Sequence, residues 1–335
     1  MNSAALRLCL CLLISNLWAG SPDIVSTKRI WDRAPHSAFT DLTRYRDQWF
    51  CVFREGPAHV PVVRDGKQLD GVIRVISSTD GGEWTSAAVL SEETIDLRDP
   101  HFSTMPDGRL MMIVGGSLYS AGRYVTRQPR VAFSNDGVKW SPPQAVMEDG
   151  DWLWRVIWHQ GRAYGVDKRV PGRNNARLPK RGFLVTSSDG ITWTRVTELE
   201  VPGIDEAALI VTANEEMNIL ARRGAGNNHA WFGRSRPPYT TWEWQDCGEQ
   251  VGGPVLVSIP EKGVWAGGRS YVEGKARTCL AAIIDGHYKP KLFLPSDGDN
   301  SYPGFWWYDE MLWISYYSSH EGKASVYLAT VKINR

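Results

Sequence analysis

A short motif with the pattern S-x-D-G-x-x-W occurs three times and constrains the fold more than any other feature of this sequence. The copies begin at Ser78, Ser134 and Ser187, and a degenerate fourth copy covers residues 235–242. Consecutive starting serines are 56, 53 and 48 residues apart. Recurrence at nearly constant spacing indicates a chain built from structural repeats.

The motif has the chemistry of a tight turn. Its Asp carboxylate can accept hydrogen bonds from backbone N–H groups of the same turn, and its Gly adopts backbone conformations that other residues resist. Its Trp can pack into the interior. We therefore interpret each copy as a hairpin lock and expect no catalytic role for its aspartate.

A second, weaker repeat indicates how many structural units the chain contains. Six short polar turns are each followed by a strand-like apolar run, and their first residues are Asp47, Asp107, Gln160, Asn214, Lys262 and Asp309. Units of roughly 50 residues hold four short strands and commonly close radially, which leaves few exposed strand edges. The sequence thus predicts an all-β, six-bladed β-propeller of four-stranded antiparallel blades. A pair of β-sandwiches would not explain the even spacing.

The first twenty residues lie outside this repeat scheme. An early Arg7 precedes an apolar run over residues 8–17 and the small residues Ala19 and Gly20, which is typical of an export signal. We expect residues 1–20 to be a signal peptide and residues 21–335 to form one propeller domain, exported to the periplasm or secreted as a monomer. No later segment reaches the ~20 apolar residues that a membrane span requires.

Composition disfavours several classes of function. Lys and Arg together number 38 and Asp and Glu 37, so no net field attracts nucleic acid or acidic membranes. After the leader the chain has only Cys51, Cys247 and Cys279, without the paired spacing of a zinc site, and its histidines show no metal-ligand spacing. We expect neither a catalytic metal nor a cofactor.

Strand parity predicts where a binding site would lie. Residues that begin the first strand of a blade or end the second lie on the face opposite the locks, near the central axis. Charged residues and one tyrosine occupy these positions: Asp41, Arg98, Asp99, Arg155, Asp205, Glu206 and Tyr302 at first strands, and Arg54, Arg222, Arg223, Arg269 and His320 at second strands. Arginine binds planar oxyanions through two parallel hydrogen bonds. This set therefore favours an anionic ligand, a carboxylate, sulfate or phosphate.

These features resemble the sialidase (neuraminidase) superfamily, the BNR or Asp-box six-bladed β-propellers, and more closely its exported bacterial sialidase-like members. Residues 205–223 resemble the family's segment in which a Glu precedes a strand pair that ends in a ligand-binding Arg, which would match Glu206 with Arg223 or Arg222. Residues 301–304 resemble the segment with the tyrosine nucleophile, here Tyr302. Arg269 resembles another arginine of the carboxylate-binding triad.

The chain also departs from that family. Residues 38–42 read Ala-Phe-Thr-Asp-Leu near the place of the family's Arg-Ile-Pro signature, so Arg54 or Arg98 would have to supply the third guanidinium. The family's acid/base Asp is expected in the loop after the first strand pair. Five residues in that loop or at first strands are candidates for this role: His59, Asp65, Asp70, Asp41 and Asp99.

The resemblance implies a retaining glycosidase. Tyr302 would attack the anomeric carbon, Glu206 would remove the phenol proton, and an Asp would protonate the departing oxygen. We expect an exported exo-glycosidase that removes a terminal acidic sugar, with sialic acid first, from a glycan or glycoconjugate. The alternatives are a non-catalytic carbohydrate-binding propeller and a related propeller enzyme, either a glycosidase or a lyase using Tyr and His, that acts on another acidic glycan.

Overall fold

Six four-stranded antiparallel sheets surround a central axis. The protein is described by a computed structural model that covers residues 21–170 and 180–334, and the predicted signal peptide lies outside this range. The first strand of each sheet is innermost and contacts its counterparts in both neighbouring sheets. The predicted six-bladed β-propeller is therefore confirmed. Across the described residues, no helix is long and apolar enough to cross a membrane.

The blades follow one another in chain order, and the strands of each blade are named here from the axis outward. Blade 1 contains β2 (His36–Tyr45), β3 (Gln48–Gly56), β6 (Val72–Ser78) and β7 (Thr85–Leu90), and blade 2 contains β8 (Ile95–Thr104), β9 (Leu110–Ser120), β10 (Arg123–Ser134) and β11 (Gln144–Ala145). Blade 3 contains β12 (Leu153–His159), β13 (Arg162–Arg169), β14 (Arg181–Ser187) and β15 (Thr194–Leu199), and blade 4 contains β16 (Ile204–Val211), β17 (Met217–Arg223), β18 (Trp231–Ser235) and β19 (Glu243–Asp246). Blade 5 contains β20 (Gly252–Ile259), β21 (Gly263–Val272), β22 (Lys275–Ile284) and β23 (His287–Phe293), and blade 6 contains β24 (Asn300–Tyr308), β25 (Met311–Ser318), β26 (Ser325–Ile333) and β1 (Pro22–Trp31).

The ring is closed by backbone hydrogen bonds between the first and last strands. β1 pairs antiparallel with β26, so the earliest strand forms the outer edge of blade 6. A small hairpin, β4 (Val62–Arg64) and β5 (Lys67–Leu69), is inserted between β3 and β6. Apolar clusters fill each of the six spaces between neighbouring blades. Middle strands such as β9 are buried on both faces, which explains their nearly continuous apolar sequence.

The three motif copies form the turns between the third and fourth strands of blades 1 to 3. In the second copy, the Gly137 N–H donates to Ser134 Oγ (2.8 Å), and the Val138 N–H donates to Asp136 Oδ1 (2.8 Å). The Trp140 indole N–H donates back to the Gly137 carbonyl (3.0 Å). The glycine of this turn lies against Phe50 in β3 of the preceding blade. The motif therefore closes a hairpin and also packs against the preceding blade. It lies on the face of the propeller where the first and second strands of each blade are joined.

Every blade also has a β-bulge at the start of its first strand, where two residues face one residue of the second strand. The paired residues left out of the ladder are 39–40, 99–100, 154–155, 205–206, 253–254 and 302–303. Four bulges include a left-handed residue, Phe39, Asp99, Gly253 or Tyr302. A bulge redirects side chains that regular pleating would place elsewhere. Six of them form a ring of redirected side chains around the axis.

Candidate active site

A cavity of about 250 Å³ opens on the bulge side of the axis. Bulge residues of four blades contribute to its lining: Phe39, Asp99, Asp205, Glu206 and Tyr302. Arg98 and Arg222 lie beside them. The cavity therefore collects functional side chains that are far apart in the sequence.

A tyrosine, a glutamate and an arginine form a closed hydrogen-bonded group at this cavity. The Tyr302 hydroxyl donates to Glu206 Oε1 (2.7 Å), and Arg222 Nη1 donates to Glu206 Oε2 (2.8 Å) and to the Tyr302 oxygen (3.1 Å). Burial raises the pKa of Tyr302 well above its usual value. Burial also opposes ionisation of Glu206, but the charge and hydrogen bond of Arg222, together with the Lys168 charge, lower the Glu206 pKa. A neutral phenol thus donates to an ionised carboxylate, the arrangement that a base needs to activate a nucleophile.

Gly253 makes this arrangement possible. Its N–H donates to Glu206 Oε2 (2.8 Å), and its backbone φ is 58°. A Cβ at this position would lie 2.6 Å from Cγ of Tyr302. Only glycine combines the left-handed conformation with such a close approach to the phenol ring.

Two further guanidinium groups lie near Tyr302. The Arg269 Cζ is 5.3 Å from the centroid of the Tyr302 ring, and Arg269 Nη2 donates to the Tyr317 hydroxyl (3.0 Å). Arg98 lines the cavity, and its Nε lies 3.7 Å from Asp99 Oδ2. Arg98, Arg222 and Arg269 are therefore the arginines that the fold gathers around this tyrosine.

Arg54 and Arg223 lie away from the cavity. Arg54 is fully buried, and its Nε and Nη2 donate to Asp96 Oδ1 (3.0 and 2.6 Å), so of the two candidates for the third guanidinium only Arg98 faces the cavity. The Arg223 guanidinium lies 4.3 Å from the centroid of the Trp231 ring and donates to a backbone carbonyl. Successive strand residues point to opposite sides, so only Arg222 of the neighbouring arginines reaches Glu206.

Asp41 and Arg155 form a structural crosslink in the hub instead of lining the cavity. Arg155 Nη1 donates to Asp41 Oδ1 (2.9 Å), and its other nitrogens donate to the carbonyls of Pro254 (3.2 Å) and Pro303 (2.8 Å). Asp41 Oδ2 accepts the Phe102 N–H (2.8 Å). These bonds join five blades, and both side chains are committed to them.

Three other sequence candidates also lie outside the cavity lining. His320 packs against Tyr327 at 4.9 Å and contacts Ser318 Oγ at 2.9 Å. Asp65 is exposed in the turn of the β4–β5 hairpin, and Asp70 accepts a hydrogen bond from the Gln68 amide (2.9 Å).

Asp99 and His59 are the acid/base candidates that do line the cavity. Burial raises the pKa of Asp99 to about 6; Arg98 counteracts this shift and Glu206 adds to it. His59 is half exposed at the rim, and its ring is 5.1 Å from the Phe39 ring, which in turn lies 5.2 Å from the Tyr302 ring.

His59 belongs to a cluster that the sequence analysis did not identify. Its Nδ1 lies 2.8 Å from Asp299 Oδ2, and His36 Nε2 lies 2.9 Å from the same oxygen. The Tyr317 hydroxyl donates to the other Asp299 oxygen (2.7 Å). Burial opposes ionisation of Asp299, but these hydrogen bonds hold its pKa well below the usual value. Asp299 lies three residues before Tyr302, just ahead of β24. Its place beside a first strand is the sequence signal that could have identified it.

The same cluster is the one group of described residues with the donor set and spacing of a metal site. The ligand atoms of His36, His59 and Asp299 all lie within 4.8 Å of one another. Two imidazoles and a carboxylate suit zinc or a similar ion. The guanidinium of Arg269, 3.5 Å from Asp299 Oδ1, is an opposing positive charge.

One wall of the cavity is strongly basic. Arg127, Lys168 and Lys180 line it together with Trp152. Both lysines pair with the single carboxylate of Asp205. The Arg127 guanidinium lies 5.2 Å from the centroid of the Trp152 ring and forms no ion pair within residues 21–170 and 180–334. Positive charge is therefore in excess along this wall.

Comparisons with known proteins support the fold. No protein-family model matches the sequence, and no curated protein matches it significantly. A Dyadobacter fermentans protein of unknown function is similar in structure, with a TM-score of 0.78, 18% identity, and coverage of 94% of this chain and 100% of that one. A Hadza microbial sialidase is similar with a TM-score of 0.66 and 14% identity, over 91% of this chain and 68% of that one. A Penicillium chrysogenum α-L-arabinanase complexed with arabinobiose is similar with a TM-score of 0.68 and 14% identity, over 91% of this chain and 98% of that one. Identities this low establish a shared propeller fold, and the structural neighbours include glycoside hydrolases.

Proposed function

We propose that this protein is a retaining exo-glycosidase that removes a terminal acidic sugar, with a sialic acid as the first substrate to test. The observation that carries the proposal is the hydrogen-bonded group of Tyr302, Glu206 and Arg222 at the cavity. It resembles the nucleophile and base of the sialidases, whose fold this chain shares with the structural neighbours. We further propose that the protein is exported and acts on glycans or glycoconjugates outside the cytoplasm, as a monomer.

A tyrosine nucleophile suits a sugar that carries a carboxylate at its anomeric carbon. Such a carboxylate would repel an incoming Asp or Glu, whereas a phenol is neutral until a base removes its proton. In this mechanism Glu206 takes the Tyr302 proton as the phenol oxygen bonds to the anomeric carbon and the glycosidic bond breaks. The departing oxygen receives a proton from a second group. Water then attacks the glycosyl–tyrosine intermediate as the second group, deprotonated in the first step, takes a proton from it, and the phenolate regains its proton from Glu206.

The charges around Tyr302 support an acidic ligand. Arg222 and Arg269 contact the tyrosine, and Arg98 lines the same cavity. Guanidinium groups orient a carboxylate through paired hydrogen bonds. The basic wall adds Arg127 and two lysines that share one carboxylate, which favours an anionic sugar over a neutral one.

Hydrolysis of fluorogenic sialosides and uronides by the purified protein tests the proposal. Tyr302→Phe should lower kcat by at least about a thousandfold, because the nucleophile is removed. Tyr308→Phe is a matched control, since Tyr308 is 40% exposed outside the cavity. A fluorinated glycosyl fluoride should also leave a mass adduct on the peptide that contains Tyr302. If the intact protein binds acidic sugars without turning over any of them, it is a carbohydrate-binding propeller and the proposal fails.

The presence of His59 and Tyr302 in one cavity favours a second candidate, a lyase for a uronate-containing glycan. A lyase would eliminate across the sugar ring and produce an unsaturated uronate instead of adding water. Ultraviolet absorbance of the unsaturated product distinguishes this reaction from hydrolysis.

A further inference from the structure

We propose that His59, held by Asp299, is the acid/base residue of this site, in place of an aspartate. The inference rests on the proposed glycosidase function and names the group that protonates the departing oxygen. It is carried by the His59–Asp299 contact, by the position of His59 at the cavity rim, and by the network that fixes Asp299.

The contact with Asp299 fixes which ring nitrogen of His59 can act. Nδ1 lies 2.8 Å from Asp299 Oδ2, and an ionised carboxylate at this distance holds the proton on Nδ1. The other nitrogen, Nε2, has no hydrogen-bond partner among the described residues and lies on the opposite side of the ring. A carboxylate that fixes the tautomer and orientation of an imidazole in this way is a recurring device in acid/base catalysis.

The rim position suits the departing group. In an exo-acting enzyme the sugar occupies the cavity and the group that leaves points to solvent. The His59 side chain is 49% exposed, whereas that of Asp99 is 10% exposed, so His59 is the cavity-lining candidate on the solvent side, where the departing oxygen would lie. Arg98 Nη2 donates to the His59 carbonyl (3.3 Å) and holds this loop at the cavity.

Asp299 is itself held firmly. His36, whose side chain is 10% exposed, contacts Oδ2 at 2.9 Å, and the Tyr317 hydroxyl donates to Oδ1 at 2.7 Å. The Asp299 backbone N–H donates to Ser319 Oγ (2.9 Å). Asp299, His36 and Tyr317 are therefore positioning residues in this proposal, and His59 is the catalytic residue.

The proton balance is complete without another reactant. In the first step imidazolium His59 gives its Nε2 proton to the glycosidic oxygen as the C–O bond breaks and the Tyr302 oxygen bonds to the anomeric carbon. His59 becomes neutral. In the second step Nε2 removes a proton from water as the water oxygen attacks the anomeric carbon, and Tyr302 departs and is reprotonated by Glu206.

The test compares leaving groups, because acid catalysis matters only for a poor one. His59→Gln should lower kcat/KM, which reports the first step, by about 10²–10³-fold for an alkyl sialoside and by less than about 10-fold for a nitrophenyl sialoside, since nitrophenolate leaves without a proton. Asp299→Asn should show the same pattern with a smaller loss and little change in KM. Azide should accelerate nitrophenyl turnover by His59→Ala. The matched control is His229→Gln, because His229 forms an equivalent pair with Asp246 (2.9 Å) outside the cavity.

Three results would overturn the inference. One is an equal loss for both leaving groups in His59→Gln at unchanged thermal stability. Another is the leaving-group pattern in Asp99→Asn instead. The third is loss of wild-type activity on treatment with a chelator and recovery with zinc, which would make the cluster a metal site. Wild-type protein that hydrolyses no glycoside would instead refute the proposed function itself.

Discussion

Replacement of Gly253 by alanine tests whether the Tyr302–Glu206 contact is the reacting centre. The new Cβ would lie 2.6, 2.7 and 2.9 Å from three atoms of the Tyr302 ring. Carbon atoms are comfortable at about 3.5–4.0 Å, so the ring would have to retreat by roughly 1 Å. The hydroxyl now lies 2.7 Å from Glu206 Oε1, and a retreat of this size would break that hydrogen bond.

The substitution should lower both the stability and the catalytic rate, and the two losses can be measured separately. Forcing alanine into a left-handed conformation costs roughly 1–2 kcal/mol, and overpacking adds about 1–3 kcal/mol of lost stability. Misplacing a reacting group by about 1 Å costs on the order of 100-fold in rate. Denaturant unfolding would measure the first two effects, and turnover of the fluorogenic substrate at a temperature well below unfolding would measure the third.

Gly263→Ala is the matched control. Gly263 has a φ of 78°, and no atom lies within 4 Å of an added Cβ. This variant should lose stability through backbone strain alone and keep its activity. If Gly253→Ala retained activity within about threefold of wild type, the chemistry could not depend on Tyr302 in the position described.

The remaining predictions concern three charged residues. The pKa of Asp99 is raised to about 6 in the folded state. Between about pH 4 and 6 the folded protein therefore keeps a proton that the unfolded chain has lost, so the contribution of Asp99 to stability falls as pH rises through this range. Asp99→Asn should therefore stabilise the protein at pH 7 by on the order of 2 kcal/mol and much less at pH 4, and equal effects in urea unfolding at both values would contradict this. Arg222→Lys should lower kcat/KM by about 100-fold, because the lysine nitrogen ends one bond nearer the backbone than the Arg222 nitrogen that bridges Glu206 and Tyr302. Arg223→Lys should stay within about threefold of wild type, and the reverse order in steady-state kinetics would refute the assignment. Arg54→Met should cost about 3–5 kcal/mol of unfolding free energy by leaving its buried carboxylate partner unpaired, and unchanged stability with a selective rise in KM would instead place Arg54 in the binding site.

The blade architecture was predictable because it depends on local chemistry repeated along the chain. The Ser134 turn needs only residues within seven positions to close its hairpin. Parity within a blade then places strand starts near the axis without any knowledge of tertiary contacts. The same reasoning brought Tyr302, Glu206 and Arg98 to the cavity side, where the structure has them.

Parity could not tell which of several neighbouring charges reach the cavity. The bulge in each first strand shifts the register by one residue. Asp99 and Glu206, which lie within bulges, therefore face the cavity, whereas Asp41, the first residue after the bulge of blade 1, is enclosed by Arg155. Three bulges carry proline at their second position, as at Pro254. Proline tolerates positions without a ladder hydrogen bond, and this recurrence was a signal that could have revealed the bulges.

By itself, then, the order of residues determined the number of blades, their strand pairing and the face that carries the site, since each follows from short-range turns and the alternation of side chains. Only the tertiary structure decided which groups meet. His36 and Asp299 are 263 positions apart, and Tyr302 and Glu206 are 96 apart. Their approach depends on closure of the ring and on bulges formed between strands, and the spacing of residues along one chain contains no measure of either.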